Sequence, residues 1–194
     1  YGLTDNFEFY PNTPDLEPFP TVSQRMLAYR RFALPLALKS LQEAQNTEKL
    51  NSVTHLITVS CTGLYAPGLD IELVESLQLS RQTQRTSINF MGCYGAFNGL
   101  KVAHAIVQAD PNAKVLLVCI ELCTLHFQKK ADDNYLLSNA LFADGAASVI
   151  IEGQPRGLSL EMRSFHCDLL FEGRNDMAWH VGDFGFEMVL SSYI

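Results

Sequence analysis

An α/β fold, with one sheet covered by helices on both faces, is predicted by three observations. Short apolar and β-branched runs recur at Thr54–Val59, Lys114–Ile120 and Ala146–Ile151. Segments with helical spacing separate them. The runs are apolar at consecutive rather than alternate positions, the mark of strands buried on both sides.

In chain order, residues 1–20 hold Pro11, Pro14, Pro18 and Pro20 and little periodicity, so they are expected to form an extended arm or loop ahead of one domain at residues 21–194. From Ser23 to Gln45, Met26, Leu27, Phe32, Ala33, Leu36, Ala37 and Leu41 recur at helical spacing. One or two amphipathic helices are expected, with Ser23 as N-cap and Pro35 as a kink or interruption. The strand Thr54–Val59 runs into turn-rich Ser60–Gly63 and Ala66–Gly68, and a short helix follows at Leu69–Leu77. Ser87–Phe90 is read as a second strand, and Ala96–Ala109 as a helix with Ala96, Leu100, Ala103 and Val107 on one face. The Asp144-Gly145 pair is expected to make a tight turn into the last strand. All four strands are expected in one mixed sheet.

Composition narrows the function classes. The chain has 194 residues, 47% hydrophobic and 18% charged, which is ample for a sizeable core. Its net charge of −7 argues against a nucleic-acid-binding surface. No apolar run approaches the ~18 residues of a membrane span, and the first 20 residues lack the regions of a signal peptide, so the expected compartment is the cytoplasm. Five cysteines, mostly in apolar segments, fit reduced thiols better than disulfides. Cys119 and Cys123 have no second pair at metal-site spacing, so no metal is expected.

Cys93 stands apart from the other thiols. It lies in NFMGCYGAFNG, between Gly92 and Gly95, where a strand gives way to a helix. A thiol there would feel the positive end of the helix, which favours thiolate, and the free N–H groups could stabilise a developing oxyanion. Free cysteines are also among the most buried residue types. From the residues alone, Cys93 is either a nucleophile or a packed thiol, while Cys61, Cys119, Cys123 and Cys167 are read as small core hydrophobes.

Three ordered segments carry a resemblance: THLITVSCTGLYAPGLD, then MGCYGAFNGLKVAHAIVQADPNAKVLLVCIELC, then ALFADGAASVII, with a weaker end at DFGFEM. Together they resemble the type III polyketide synthases, the chalcone synthase-like enzymes of the thiolase superfamily, from about Thr54 to Ile194. The resemblance implies a thiolase-like fold of αβαβα layers, of which this chain would hold the first half and the start of the second. It implies that Cys93 is the acyl-loading nucleophile, taking its acyl group from a coenzyme A thioester before condensation with malonyl-coenzyme A. No cofactor is implied beyond those thioester substrates. Phe142 falls on the position of an aromatic that gates the pocket and aids decarboxylation, and Phe186 less closely on a second. The Ala66–Gly68 loop is similar to one that reaches across a homodimer.

Departures from the family pattern are informative too. Cys123 and His126 stand where plant chalcone synthases carry threonines lining the starter pocket, which puts a coumaroyl starter in doubt. A lone histidine such as His126 is more often a hydrogen-bonded structural residue than a base. The family completes its site with a His and an Asn that no segment here matches, nor are its early basic residues for coenzyme A phosphates found. The chain is therefore expected to be the middle of a longer protein and, by itself, inactive in carbon–carbon bond formation. Two other readings stay open: a ketoacyl synthase III-like or thiolase condensing enzyme, and a non-catalytic thiolase-fold subunit.

Overall fold

The computed structural model describes residues 7–43, 50, 52–154 and 157–190. Residues 7–20 contain no helix or strand. They lead into α1 (Val22–Glu43), one continuous helix that contains Pro35. The expected break at Pro35 does not occur. Proline removes the N–H that the Arg31 carbonyl would receive, but Arg31 is exposed, so water can take that bond. The N-cap also differs from expectation. Thr21 N–H donates to Gln24 Oε1 at 2.8 Å and Gln24 N–H to Thr21 Oγ1 at 3.4 Å, a reciprocal capping box that leaves Ser23 inside the first turn.

The buried stripe of α1 is Arg25, Ala28, Tyr29, Ala33, Ala37 and Leu41. Its alanines let the helix approach the sheet closely. Leu27, expected on this stripe, is 65% exposed, whereas Arg25 is fully buried.

The sheet is built from β1 (His55–Ser60), β2 (Gln84–Asn89), β3 (Lys114–Leu122) and β4 (Asp144–Glu152) in the order β2-β1-β3-β4. β1 runs parallel to β2 and β3, and β4 is antiparallel to β3. The expected mixed sheet is therefore present, with all four strands in it. On one face Leu56, Leu116, Val118 and Ile120 pack with α1 and with α2 (Leu69–Ser76). On the other, Ile57, Val59, Val115 and Leu117 pack with Ala103 and Val107 of α3 (Gly95–Ala109). Strand periodicity explains how one run feeds both cores: neighbouring side chains point to opposite faces.

Only the two central strands are buried on both faces. The outer strand β2 is almost wholly exposed, whereas β4 mixes exposed and half-buried residues, with Ile151 its one buried position. Asp144 and Gly145 do not turn the chain. They open β4, opposite Leu122 and Glu121, and the Asp144 carboxylate accepts from Thr124 N–H at 2.8 Å and Thr124 Oγ1 at 2.7 Å.

Three further elements were not anticipated from the sequence. A helix, α4 (Asp133–Leu141), is capped by the Asp132 side chain. A hairpin of β5 (Met177–Gly182) and β6 (Gly185–Leu190) closes on the Gly182 and Gly185 pair. The hairpin is fixed to the body at its turn. Val22 N–H donates to Asp183 O at 2.8 Å, and Gln128 Nε2 donates to Phe184 O at 3.0 Å.

Candidate active site

Cys93 sits in a single 3-10 turn, Gly92–Tyr94, that joins the end of β2 directly to α3. The turn is tight: Phe90 has φ of 58° and Gly92 of 64°, a region in which glycine carries no Cβ penalty. Glycines then let the helix lie against the sheet. A Cβ at Gly95 would meet Val59 Cγ1 at 2.8 Å, and one at Gly99 would meet Leu117 Cδ1 at 2.7 Å. No side chain caps the N-terminus of α3. The Gly95 N–H is taken by Gly92 O within the turn, and the exposed Cys93 thiol lies at this end of the helix.

Beneath this turn the ends of β1 and β3 are tied by a half-buried carboxylate. Glu121 accepts the Cys61 N–H at 2.9 Å and the Thr62 hydroxyl at 2.7 Å, and Thr62 Oγ1 in turn accepts Leu122 N–H at 2.8 Å. Burial raises the Glu121 carboxyl above its ordinary range, against the pull of these donors. The Cys61 thiol donates to Gly92 O at 3.7 Å, next to Cys93, and its carbonyl accepts Trp179 Nε1–H at 2.8 Å. Burial and the Glu121 charge hold the Cys61 thiol up.

Phe142, Phe186, Cys123 and His126 share one cavity of about 760 Å³, between the arm, α1, the turn after β3 and the hairpin. Cys93 is not among its lining residues. Phe90, at the head of the Cys93 turn, meets the Phe186 ring edge-on at 5.2 Å. Phe142 is the half-buried residue that closes α4. Phe186 is 2% exposed, at the start of β6.

His126 is fully committed. Its Nε2–H donates to Thr62 O at 2.6 Å, its Nδ1 accepts the Phe186 N–H at 2.9 Å, and burial pushes its pKa down to about 4. It is a neutral structural ring with no lone pair left for general-base work. Cys123 is half-buried, and burial, followed by the charges of Glu121 and Asp144 and the neighbouring Cys93, pushes its thiol up to about 12. Cys119 is raised to about 11, mainly by burial.

Cys167 departs from the expectation of a core thiol. It is exposed, with Lys101 Nζ and the Tyr94 hydroxyl against its sulfur, and Lys101 is the main cause of its lowered pKa. The sequence held no local signal for this, since Lys101 lies 66 residues away. Glu121 was likewise missed; its one signal is a carboxylate closing an otherwise apolar strand.

In the Thr62–Gly68 loop, Leu64, Ala66 and Pro67 are exposed, while Thr62 and Gly63 are buried and Tyr65 donates to Glu72 at 2.9 Å. Among the described residues, no group of three His, Cys, Asp or Glu side chains could hold a metal ion, and no helix is long and apolar enough to cross a membrane.

A family model for chalcone and stilbene synthases, N-terminal domain, matches residues 17–155, which carry the sheet, the Cys93 turn and Phe142. The chain belongs to this family. Among similar proteins, the alpha-pyrone synthesis polyketide synthase-like Pks18 of Mycobacterium tuberculosis is 36% identical over 133 residues, 68% of this chain and 34% of that protein. Type III polyketide synthase C of Arabidopsis thaliana is 35% identical over 157 residues, 78% of this chain and 40% of that one. Among solved structures, PKS-I of the brown alga Ectocarpus siliculosus superposes with a TM-score of 0.83 at 29% identity, covering 95% of this chain and 50% of that one. The fold of this chalcone and stilbene synthase N-terminal domain is thus the thiolase-like fold of the type III polyketide synthases. The chain spans between a third and a half of the length of these relatives.

Proposed function

We propose that the chain is the nucleophile-bearing part of a type III polyketide synthase, an acyltransferase that uses coenzyme A thioesters and no separate cofactor. The observation that carries this reading is the exposed Cys93 thiol at the uncapped start of α3, in a chain of this family. The Cys93 thiolate attacks the carbonyl carbon of an acyl-coenzyme A. The new carbon–sulfur bond forms, the bond to coenzyme A breaks, and the departing thiolate takes a proton. Thioester exchange is nearly isoenergetic, which suits a cysteine carrier. The positive end of the α3 dipole is suited to stabilise the negative charge that develops on the carbonyl oxygen.

Decarboxylation of malonyl-coenzyme A, which releases carbon dioxide, then supplies the carbanion that attacks the Cys93 thioester; the carbon–carbon bond forms, the acyl carbon–sulfur bond breaks, and the Cys93 thiolate is set free. Phe142 stands on the cavity wall for this step, and Phe186, Cys123 and His126 shape the acyl pocket. A cytoplasmic homodimer, with the exposed Leu64 to Pro67 surface near the partner, is part of the same reading. No segment of the chain matches the family's His and Asn motifs, so the 194 residues alone are expected to form no carbon–carbon bond.

The test is acyl loading. The chain and its Cys93→Ala variant are incubated with a radiolabelled acyl-coenzyme A, digested, and the label is located by mass spectrometry. Label on Cys93, absent from the variant, is the expected result. Label on Cys61 or Cys123, or undiminished loading of Cys93→Ala, would return Cys93 to the role of a bystander and favour a non-catalytic thiolase-fold subunit.

A further inference from the structure

The outer face of α3, opposite its buried stripe of Gly95, Gly99, Ala103 and Val107, carries a second thiol away from the Cys93 turn. Tyr94, Phe97, Lys101 and His104 share that face at helical spacing, and residues 165–167 cross over it. The His104 and Phe165 rings meet edge-on at 5.5 Å, and the Tyr94 and Phe97 rings stack at 5.5 Å. The Cys167 sulfur lies between two polar groups. Lys101 Nζ donates to it at 2.6 Å, and the Tyr94 hydroxyl stands 2.8 Å away. Lys101 Nζ is also 4.4 Å from the centre of the Tyr94 ring, which holds it in place. The thiol is open to solvent. Lys114, Lys129 and Lys130 pair with the carboxylates of Glu152, Glu17 and Glu187 instead.

We propose that Cys167 and Lys101 form a self-acylation site, at which the thiol takes an acyl group from an acyl-coenzyme A and passes it to the lysine nitrogen. Hydrogen bonds from Lys101, and then from Tyr94, hold the Cys167 thiol below its ordinary range, which favours the nucleophilic thiolate. That thiolate attacks the thioester carbonyl. A new carbon–sulfur bond forms, the bond to coenzyme A breaks, and the departing thiolate takes a proton from water. The Cys167 thiolate is the main cause that raises the Lys101 pKa, so its acylation lets the amine release a proton to solvent. The free amine attacks the Cys167 thioester. The carbon–nitrogen bond forms, the carbon–sulfur bond breaks, the nitrogen loses its second proton to solvent, and the thiolate returns. Contact between the two side chains makes this second step intramolecular. Neither step uses Cys93, so the site stands whether or not that residue loads. The amide removes the Lys101 charge, and with it the cation that holds Cys167 against α3.

The test is incubation of the full chain with acetyl-coenzyme A in mildly alkaline buffer. Neutral hydroxylamine then strips thioesters, and digestion with peptide mass spectrometry locates the amides. Acetylation of Lys101 is expected at least about ten-fold faster than that of Lys39, Lys129 or Lys130. Cys167→Ser should bring Lys101 down to the rate of those lysines, even though it removes the thiolate that holds the amine's proton. In Lys101→Arg, sampled before hydroxylamine, the acetyl group should remain on Cys167. Equal rates at all four lysines, fast Lys101 acetylation that survives Cys167→Ser, or an unlabelled Cys167 in Lys101→Arg overturns the proposal. Cys93→Ala decides the route. A Lys101 label that persists in it supports direct transfer through Cys167, whatever becomes of loading at residue 93, and a label that disappears overturns the proposal by making Cys93 the donor.

Discussion

The His126 ring lies flat against the Phe186 ring, with centroids 4.1 Å apart and planes 6° apart, while its Nδ1 accepts the Phe186 backbone N–H. One neutral imidazole therefore fixes the hairpin at Phe186, the partner of Val181, and through Thr62 O it also fixes the loop after β1.

This arrangement makes stability fall in acid. The folded-state pKa of His126 is depressed from 6.5 to about 4, so the unfolded chain takes up a proton before the folded one does. The stability it contributes is intact above pH 6.5 and is lost as pH falls towards 4, with a total on the order of 3 kcal/mol. Urea denaturation of the chain and of His126→Gln at intervals across this window should show a steeper decline in the parent. Parallel declines would mean that other groups carry the acid sensitivity.

Two thiols should react quickly with iodoacetamide at neutral pH. Cys93 and Cys167 are exposed, while Cys61, Cys119 and Cys123 have raised pKa values and are at least partly buried. Pulse alkylation followed by peptide mass spectrometry should place label on the first pair at least about ten-fold faster. Lys101→Met should slow Cys167 and leave Cys93 unchanged, since Lys101 is the main cause of the Cys167 shift. Equal slowing of both would show that the substitution disturbs α3 as a whole.

Gly99→Ala tests the mounting of that helix. Alanine gains up to ~1 kcal/mol of helix propensity over glycine, but the new Cβ would stand 2.7 Å from Leu117 Cδ1 and 3.2 Å from Val59 Cγ2, both within the central strands. Overpacking of this kind costs ~1–3 kcal/mol, so a net loss of about 1 kcal/mol is expected in urea. A more stable variant would show that the sheet side yields freely.

Arg25→Met should loosen the arm. Arg25 Nε donates to Pro20 O at 2.9 Å, its Nη1 donates to Tyr10 Oη at 2.8 Å and to Phe127 O at 3.2 Å and also reaches Leu125 O, and its guanidinium lies 4.7 Å from the centre of the Phe19 ring. Losing it strands buried acceptors and should cost about 3 kcal/mol. Limited proteolysis should then cut within residues 7–20 several times faster than in the parent, with Arg25→Lys between the two. An unchanged cleavage rate would assign the arm's attachment to its aromatic contacts.

The sheet was legible because β1 and β3 are apolar on consecutive residues, a pattern that only a doubly covered strand needs. The edge strands misled for the same reason: Ala146–Ile151 is as apolar as a buried strand, and only the strand order reveals that it lies at the margin. The Cys93 junction could be read from its glycine spacing, because the demand for small residues is local. Arg25 could not, since a basic residue on an apolar stripe normally points outward, and the carbonyls that hold it lie about a hundred residues away. The pairing of His126 with Phe186 was hidden by the same kind of separation, 60 residues.

The proline-rich arm has a practical bearing on where a functional unit begins. Its composition invites a boundary near residue 20, and the family match starts at residue 17, yet Phe7, Phe9 and Tyr10 form part of the wall of the cavity that holds Phe142 and Phe186. Trimming the chain to the edge of its recognisable domain would leave the sheet and Cys93 in place and take away one side of that cavity. An expression clone that is meant to keep the cavity closed has to start ahead of Phe7.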